Sequence, residues 1–434
     1  MEKIVVLDFG SQYSHLICRR IREFSVYAEL VPYDISPEEL QKMNPKGIIF
    51  SGGPSSVYND DAPKPDEELF NFDLPLLGIC YGHQLIVNKF GGKVKRANKE
   101  YGSSLLSMDK NSGLLDGIGE SIRAWMSHGD EAEEIPSNFE VIGHTENSHA
   151  AAIANTDRTV FGIQFHPEVV HTERGTDILK NFVLNVCKAK QEWTMEGFVE
   201  KTVKEISEIE GNVLCGVSGG IDSTVAALLI HKAIGDRQTG VFVDNGLLRL
   251  DESKEIEDMF KNNFSLNFHR VDASEQFLSK LKGITDPEQK RKIVGEEFIQ
   301  VFTEFAKQKG PFKWLAQGTL YPDVIESGVS KGPAAVIKSH HNVGGLPEWL
   351  NLKILEPLRE LYKDEVRDVA RILGVPEKLL KRHPFPGPGL SVRIMGEITP
   401  SKLAICRKAS KIVEEELWDA GVYDKVWQAY AAVG

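Results

Sequence analysis

A cysteine flanked by glycines is the first residue in this chain whose type and spacing suit nucleophilic chemistry. Cys80 stands two residues after Gly78 and two residues before Gly82. The apolar residues before it predict a short buried strand, and residues 85–90 have the spacing of a helix. Glycines suit both positions because a Cβ there would clash where the chain reverses, and the start of a helix favours a thiolate. A small buried cysteine beside two turn glycines remains the alternative.

A histidine and a glutamate follow another predicted strand, at positions that suit proton transfer. Residues 159–165 predict this strand, and His166 and Glu168 come after it. Side chains two residues apart on an extended segment point the same way, so the carboxylate can orient the imidazole for proton exchange with a nucleophile. Since the carboxyl ends of parallel strands share one edge of a sheet, His166 can meet Cys80 there. A purely structural histidine before proline remains the alternative.

A pair of glycines supplies candidate hydrogen-bond donors for the same site. Residues 48–56 predict a further strand that ends in Gly52 and Gly53. Backbone N–H groups freed at such a turn can stabilise an oxyanion, with the N–H of Tyr81 as the second donor. The three strand ends together predict a site with a nucleophile, a base and an oxyanion hole.

A second glycine-rich turn lies between a predicted strand and a predicted helix in residues 212–230. One interpretation is a serine-hydrolase elbow, because residues 216–220 fit G-x-S-x-G. The other is a phosphate cradle made of backbone N–H groups, hydroxyls and a helix start. The cradle comprises seven residues: Ser218, Gly219, Gly220, Ile221, Asp222, Ser223 and Thr224.

The cradle explains more of this segment than the elbow does, because an elbow has no need of residues 222–224. The loop lacks the lysine of a Walker P-loop, so that motif does not apply. Asp222 is a candidate ligand for Mg²⁺ against phosphate oxygens. A tight turn with a capping aspartate remains the structural alternative.

Length and composition place this site-bearing chain among ordinary globular proteins. Its 434 residues suggest about three domains, and 26% charged residues with a net charge of −12 argue against a broad nucleic-acid-binding surface. The five cysteines are never closely paired, which indicates neither a disulfide framework nor a zinc site. We find no signal peptide and no apolar segment long enough to span a membrane. We expect a soluble cytoplasmic protein.

Strands and helices alternate in two long regions, from residue 3 to about 187 and again from about 197. This alternation predicts an α/β fold with two doubly wound, mainly parallel sheets, followed by the start of a C-terminal α+β domain. The predicted domains are residues 1–190, 191–383 and 384–434.

The first region resembles the class I glutamine amidotransferases along its whole length. The resemblance implies that Cys80 attacks the side-chain amide of glutamine and forms a glutamyl thioester. It further implies that His166 protonates the departing ammonia and then activates water, that Glu168 orients His166, and that Gly53 and Tyr81 form the oxyanion hole. The matching motifs, in order, are LDFGSQY, SGGPSS, GICYGHQ, WMSHGD and GIQFHPE.

The second region resembles the PP-loop ATP pyrophosphatases in its SGGIDS loop, and later segments resemble the GMP synthase family. The resemblance implies ATP-dependent amination of XMP to GMP, with ammonia from glutamine and release of AMP, pyrophosphate and glutamate. It implies ATP and Mg²⁺ at the loop, and neither nucleic acid nor membrane as a partner. The later segments are DPEQKRKIVGEEF, LAQGTLYPDVIES, IKSHHNVGGLP, PLRELYKDEVR and HPFPGPGL.

Three basic residues complete the set of candidates. The resemblance suggests that Arg291 contacts the XMP phosphate, whose geometry suits a guanidinium fork. Lys338 and Lys363 are weaker candidates for the triphosphate, and both also fit ordinary surface lysines. The family continues past HPFPGPGL into a dimerisation domain that helps to bind XMP, so we expect this chain to be truncated. A homodimer is expected of the full-length family and stays open for this chain.

Overall fold

The computed structural model describes residues 1–110, 113–328 and 352–434. The chain divides into two compact units, Met1–Thr194 and Met195–Gly434. The boundaries predicted for three domains stay a prediction, and each unit is described here by itself.

The first unit contains a nine-stranded sheet within the described residues, in the order β2-β1-β3-β4-β9-β8-β7-β5-β6. The strands are β1 Lys3–Asp8, β2 Tyr27–Pro32, β3 Gly47–Phe50, β4 Leu76–Ile79, β5 Lys93–Met108, β6 Ser121–Glu134, β7 Phe139–His144, β8 Ala152–Asn155 and β9 Val160–Ile163. The helices are α1 Ser14–Arg22, α2 Pro37–Met43, α3 Tyr81–Lys89 and α4 Gly175–Lys180, and a π-helical segment, Asn181–Val186, continues α4.

Five strands, β2-β1-β3-β4-β9, form the parallel half of this sheet. The central strands are apolar and buried at nearly every position, as expected for a parallel sheet with both faces covered. All five strands end at the same edge of the sheet. The crevice at that edge is where ligands bind in open α/β folds, so the fold places the ends of β3, β4 and β9 at a ligand site.

The remaining strands, β8, β7, β5 and β6, pair antiparallel and extend the sheet beyond β9. In β6, buried residues alternate with more exposed ones over most of its length, which is typical of a strand with one solvated face. The apolar runs in the sequence predict the parallel half of the sheet and not this extension. The extension reaches the site, because the backbone carbonyl of Trp125 on β6 accepts a hydrogen bond from the N–H of His166 at 3.0 Å.

The second unit contains a five-stranded parallel sheet, again within the described residues, in the order β12-β11-β10-β13-β14. Its strands are β10 Val213–Gly216, β11 Gln238–Asp244, β12 Phe268–Asp272, β13 Trp314–Ala316 and β14 Lys353–Leu355. Its helices are α5 Met195–Ser207, α6 Ile221–Ile234, α7 Glu252–Asp258, α8 Ser274–Lys280, α9 Pro287–Lys309, α10 Tyr321–Gly328, α11 Lys363–Ile372, α12 Glu377–Leu380 and α13 Pro400–Asp419. The direction of winding reverses between β10 and β13, which predicts a ligand crevice at the carboxyl ends of those two strands.

A buried lysine holds the proline-rich segment of this unit. Lys290 on α9 is 1% exposed, and its ammonium donates hydrogen bonds to the carbonyls of Ser391, Ile394 and Gly396 at 3.2, 2.7 and 2.6 Å. Burial, followed by repulsion from Lys402, lowers its pKa. These bonds fix the end of the 3₁₀ turn that follows HPFPGPG.

Replacing Lys290 with methionine is expected to destabilise the second unit by about 3 kcal/mol, because three buried carbonyls lose a charged donor. Chemical denaturation followed by tryptophan fluorescence measures the loss. Lys292→Met, at an exposed position two residues further along the same helix, is the matched control and should stay within about 0.5 kcal/mol of wild type. Equal stability of the two variants would contradict this role for Lys290.

Candidate active sites

Cys80 occupies a strained turn between β4 and α3. Its backbone has φ 52° and ψ −101°, a left-handed φ that non-glycine residues rarely adopt. The flanking glycines are required sterically. A Cβ on Gly78 would overlap the backbone of Gly82, and a Cβ on Gly82 would lie 2.5 Å from the carbonyl oxygen of Phe50. The strand–turn–helix elbow predicted from the sequence is therefore present, and its strain is of the kind found at functional sites.

The structure brings Cys80, His166 and Glu168 together at the edge where β4 and β9 end. The sulfur of Cys80 and the carboxylate of Glu168 both raise the pKa of His166, and Nδ1 of the His166 ring lies 2.8 Å from Oε1 of Glu168. A Cβ on Gly52 would lie 3.1 Å from the His166 ring and 3.6 Å from the Cβ of Cys80, so this glycine packs against both. The three side chains are 5%, 4% and 0% exposed, respectively. This arrangement can activate a sulfur nucleophile and carry a proton.

Burial alone would lower the pKa of His166, and it is the largest single influence on this group. The Glu168 carboxylate and the sulfur of Cys80 together outweigh burial and raise the pKa to about 11. His166 is therefore an imidazolium at neutral pH. An adjacent imidazolium favours a thiolate, which is the reactive form of cysteine.

Replacing Glu168 with glutamine is expected to bring the pKa of His166 well below 11, since burial is then opposed less strongly. NMR titration of the imidazole nitrogens measures the change. Because folding raises this pKa from 6.5, the charged pair stabilises the fold fully below pH 6.5 and loses that effect as pH rises through about 11. The stability advantage of wild type over Glu168→Gln should shrink across that window. An identical titration in both proteins would contradict the assigned pairing.

The two residues predicted to supply the oxyanion donors, Gly53 and Tyr81, lie next to each other. Tyr81 is the first residue of α3, so its N–H is one of the donors that the helix leaves free. Gly53 follows β3, and a Cβ there would lie 2.7 Å from the carbonyl oxygen of Phe9 and 3.4 Å from the Tyr81 ring. Only glycine lets the chain pass this close to Phe9 and Tyr81. The role of these two N–H groups remains a proposal.

Sequence reasoning missed a glutamine at this site. Gln164 is 0% exposed, and its Nε2 donates to the sulfur of Cys80 at 3.6 Å. Its signal is the alternation Gln164, His166, Glu168, three polar side chains spaced by two at the end of an apolar strand. His83, one turn into α3, is also buried, and burial, with His128 as a smaller cause, lowers its pKa to about 3, so it is neutral.

The seven-residue cradle joins β10 to α6 in the second unit. The Ser223 hydroxyl accepts from the N–H of Ser218 at 3.1 Å and lies 2.9 Å from the Ser218 hydroxyl. The Thr224 hydroxyl, in a residue that is 0% exposed, donates to the carbonyl of Gly220 at 2.8 Å. Gly219 has φ +78°, which suits glycine. The hydroxyls of Ser223 and Thr224 thus shape the loop, together with the paired N–H groups of Ser218, Gly220 and Thr224. The other N–H groups of the loop and the Ser218 hydroxyl are the candidate phosphate contacts.

The competing serine-elbow interpretation fits this loop less well. Among the described residues, those with positive φ include Cys80 and not Ser218, so the strained nucleophile turn occurs in the first unit and not here. The hydrogen bonds of the Ser218 hydroxyl involve Ser223 and the N–H of Gly220, with no histidine among its partners in the described part of the chain. The geometry favours the phosphate cradle.

Lys363, one of the two weaker lysine candidates, lies at the cradle. Its ammonium contacts both carboxylate oxygens of Asp222 at 2.6 Å, from the first residue of α11. Gly318, after β13, borders the same helix start, since a Cβ there would lie 3.3 Å from Asp222. The crevice between β10 and β13 is therefore lined by a glycine turn, a carboxylate and a cation.

Asp222 suits Mg²⁺ only as one ligand among several. Within the described residues, no group of three or more His, Cys, Asp or Glu side chains converges on a possible metal site. Mg²⁺ in nucleotide sites is held by one or two carboxylates together with substrate phosphates, so a single aspartate fits this mode.

The remaining candidates are placed as follows. Arg291 lies on α9, is well exposed, and has Glu288 as an ion-pair partner at 3.9 Å. Lys338 lies outside the described residues. All five cysteines are buried. The described helices include none that is both long and apolar enough to cross a membrane.

Comparison with known proteins identifies the family. Residues 5–186 match the model for class-I glutamine amidotransferases, and residues 193–298 match the model for NAD synthase. The chain is 52% identical over 435 residues to the glutamine-hydrolyzing GMP synthase of Clostridium tetani, and 53% identical to that of Alkaliphilus metalliredigens. Both alignments cover 100% of this chain and 85% of the relative. A third, from Caldanaerobacter subterraneus, is 53% identical and covers 99% of this chain and 84% of the relative.

The chain belongs to the glutamine-hydrolysing GMP synthase family. Membership confirms the resemblance read from the motifs and the α/β fold class predicted for both regions. The two family models meet between residues 186 and 193, close to the boundary between the compact units.

Proposed function

We propose that this chain converts XMP to GMP with nitrogen taken from glutamine, in a reaction driven by ATP. Family membership supports the overall reaction. The observation that carries the assignment to particular residues is the strained Cys80 turn with His166 and Glu168 in contact, in a chain that also carries the SGGIDS cradle.

The first unit supplies ammonia in this proposal. The sulfur of Cys80 attacks the amide carbon of glutamine, and the developing oxyanion accepts hydrogen bonds from the N–H groups of Gly53 and Tyr81. His166 gives its proton to the departing ammonia, which leaves a glutamyl thioester. His166 then takes a proton from water, the hydroxide displaces the sulfur, and glutamate is released. Glu168 holds the imidazole in place through both steps.

The second unit activates XMP in this proposal. A carbonyl oxygen of the base attacks the α-phosphorus of ATP, pyrophosphate leaves, and ammonia then displaces AMP to give GMP. The N–H groups of the cradle and the Ser218 hydroxyl bind the triphosphate, and Lys363 offsets its charge. Asp222 would hold Mg²⁺, which supplies charge neutralisation at the phosphates. Arg291 is proposed for the XMP phosphate.

The product pattern from ATP tests this function. Incubation with glutamine, ATP, Mg²⁺ and XMP should give GMP, glutamate, AMP and pyrophosphate in equal amounts, and omission of XMP should stop the release of AMP. Formation of ADP and orthophosphate in place of AMP and pyrophosphate would contradict the cradle chemistry.

We also propose a cytoplasmic location and association into homodimers. The burial of the cysteines and their lack of close pairing in the sequence support a reducing compartment. Large apolar side chains of the C-terminal residues support a contact surface, since Ile405, Ile412, Trp427 and Tyr430 are 56%, 57%, 82% and 53% exposed. Light scattering measures the mass in solution, and a value of 48.4 kDa at every concentration would contradict the dimer.

A further inference from the structure

We infer that Gln164 is a positioning residue for the glutaminase reaction, whose side-chain amide donates a hydrogen bond to the Cys80 sulfur and favours its thiolate form. The inference deepens the proposed function and rests on it for its role in turnover. The contact itself, a donor aimed at the nucleophile, is a separate observation that can be tested without turnover.

The backbone places Gln164 firmly at the end of β9. Its N–H donates to the carbonyl of Ala151 at 2.8 Å, so the residue is held to the end of the neighbouring strand. His166, two residues further on, is held in the same way by the carbonyl of Trp125 at 3.0 Å. Since alternate residues of an extended segment share a face, both side chains point at the turn that carries Cys80.

A second glutamine determines which end of the Gln164 amide faces the sulfur. Nε2 of Gln84 donates to the carbonyl of Asp130 at 2.9 Å and approaches Oε1 of Gln164 at 3.4 Å. With its oxygen turned toward Gln84, Gln164 presents its NH₂ group to Cys80 at 3.6 Å. Gln84 lies on α3, the helix that begins directly after Cys80, so the nucleophile, the helix and both amides form a closed ring of contacts.

The hydrogen bond from Gln164 affects the protonation of the Cys80 sulfur as well as its packing. A fully buried amide N–H needs an acceptor, and a thiolate is a stronger acceptor than a thiol. A further polar contact of the sulfur is the carbonyl oxygen of Ser127 at 3.6 Å, which accepts from a thiol and repels a thiolate. The charged groups that face the sulfur are His166 and, through it, Glu168. Gln164 therefore adds a neutral donor that offsets the Ser127 carbonyl when the thiol loses its proton.

The test is the pH dependence of Cys80 alkylation by iodoacetamide, followed by mass spectrometry of the peptide. In Gln164→Met, which keeps the size and loses the donor, the midpoint should move about one pH unit upward, and at pH values below both midpoints alkylation should slow about tenfold. Gln164→Glu, which also adds a negative charge, should shift the midpoint further. Iodoacetamide should react with Cys80 in preference to Cys187, Cys215 and Cys406, because burial raises the pKa of those three thiols.

Two results would overturn the inference. One is a wild-type alkylation profile in Gln164→Met, whether or not glutamine turnover falls, because a purely structural role would leave the thiolate unaffected. The other is a Gln164→Glu profile at or below the wild-type midpoint. Near-ultraviolet circular dichroism checks that both variants are folded. Failure of wild type to make GMP would count against the proposed function alone, since alkylation needs neither XMP nor ATP.

Discussion

Replacing Cys80 with alanine is expected to reduce glutamine-dependent GMP formation by at least about 10⁴-fold and to leave formation from added ammonia at the wild-type rate. Alanine removes the sulfur whose interaction with the His166 imidazole makes this residue the candidate nucleophile. Ammonia supplied in solution bypasses the thioester. Rates with each nitrogen source, measured as pyrophosphate release, separate the two halves of the reaction.

A second cysteine of the same unit provides the matched control. Cys187 is buried, its sulfur packs against Gly47, and burial raises its pKa, so it carries no thiolate at neutral pH. Cys187→Ala should keep glutamine-dependent synthesis within about twofold of wild type. If a folded Cys80→Ala protein also lost the ammonia-dependent reaction, that result would contradict the proposal that glutamine hydrolysis and XMP amination occur at separate sites.

Replacing Asp222 with asparagine is expected to slow GMP formation by about 10²-fold or more with both glutamine and ammonia as nitrogen source. The substitution keeps the shape of the side chain and removes the charge that pairs with Lys363 at 2.6 Å. Without that charge the start of α6 has lost its candidate Mg²⁺ ligand, and Lys363 is no longer held at the cradle. Alkylation of Cys80 should be unchanged, because the substitution lies in the other unit.

The control for this variant is an aspartate that follows the same helix at its opposite end. Asp236 is exposed and lies two residues beyond Ile234, the last residue of α6. Asp236→Asn should retain wild-type rates with both nitrogen sources. Selective loss of the glutamine-dependent rate in Asp222→Asn would show that the aspartate serves something other than ATP.

The strands and turns that position the candidate catalytic residues were predictable, because the sequence patterns that identify them are local. Continuous apolar runs that end in glycines identified β3 and β4, and the glycine spacing around Cys80 reported a steric need that the structure confirms. The antiparallel strands β5 and β6 were not predicted from the sequence. Along β6, alternating exposure leaves no continuous apolar run. Their pairing depends on residues far apart in the chain, which periodicity alone does not reveal.

The other features that were not predicted from the sequence depend on contacts between residues far apart in the chain. Lys363 lies 141 positions from Asp222, so its place at the cradle depends on the crossover between strands. The partners of the Gln164 amide lie at the start of α3 and just before it, so they could be identified only once the positions of β9 and α3 were known. Lys290 carries no sequence signal for burial, because its three acceptors are backbone carbonyls of a distant turn.

In the proposed reaction, the nitrogen that glutamine loses at Cys80 becomes the amino group of GMP. The nucleotide that receives it is activated at the SGGIDS cradle. The most direct measurement supplies glutamine labelled with ¹⁵N in its side-chain amide, together with XMP, ATP, Mg²⁺ and an amount of unlabelled ammonium that is small relative to the glutamine. Mass spectrometry of the GMP should find the label in nearly every molecule from wild type and in none from Cys80→Ala. GMP from wild type that carried no label, with the same yield from both proteins, would contradict the proposed reaction.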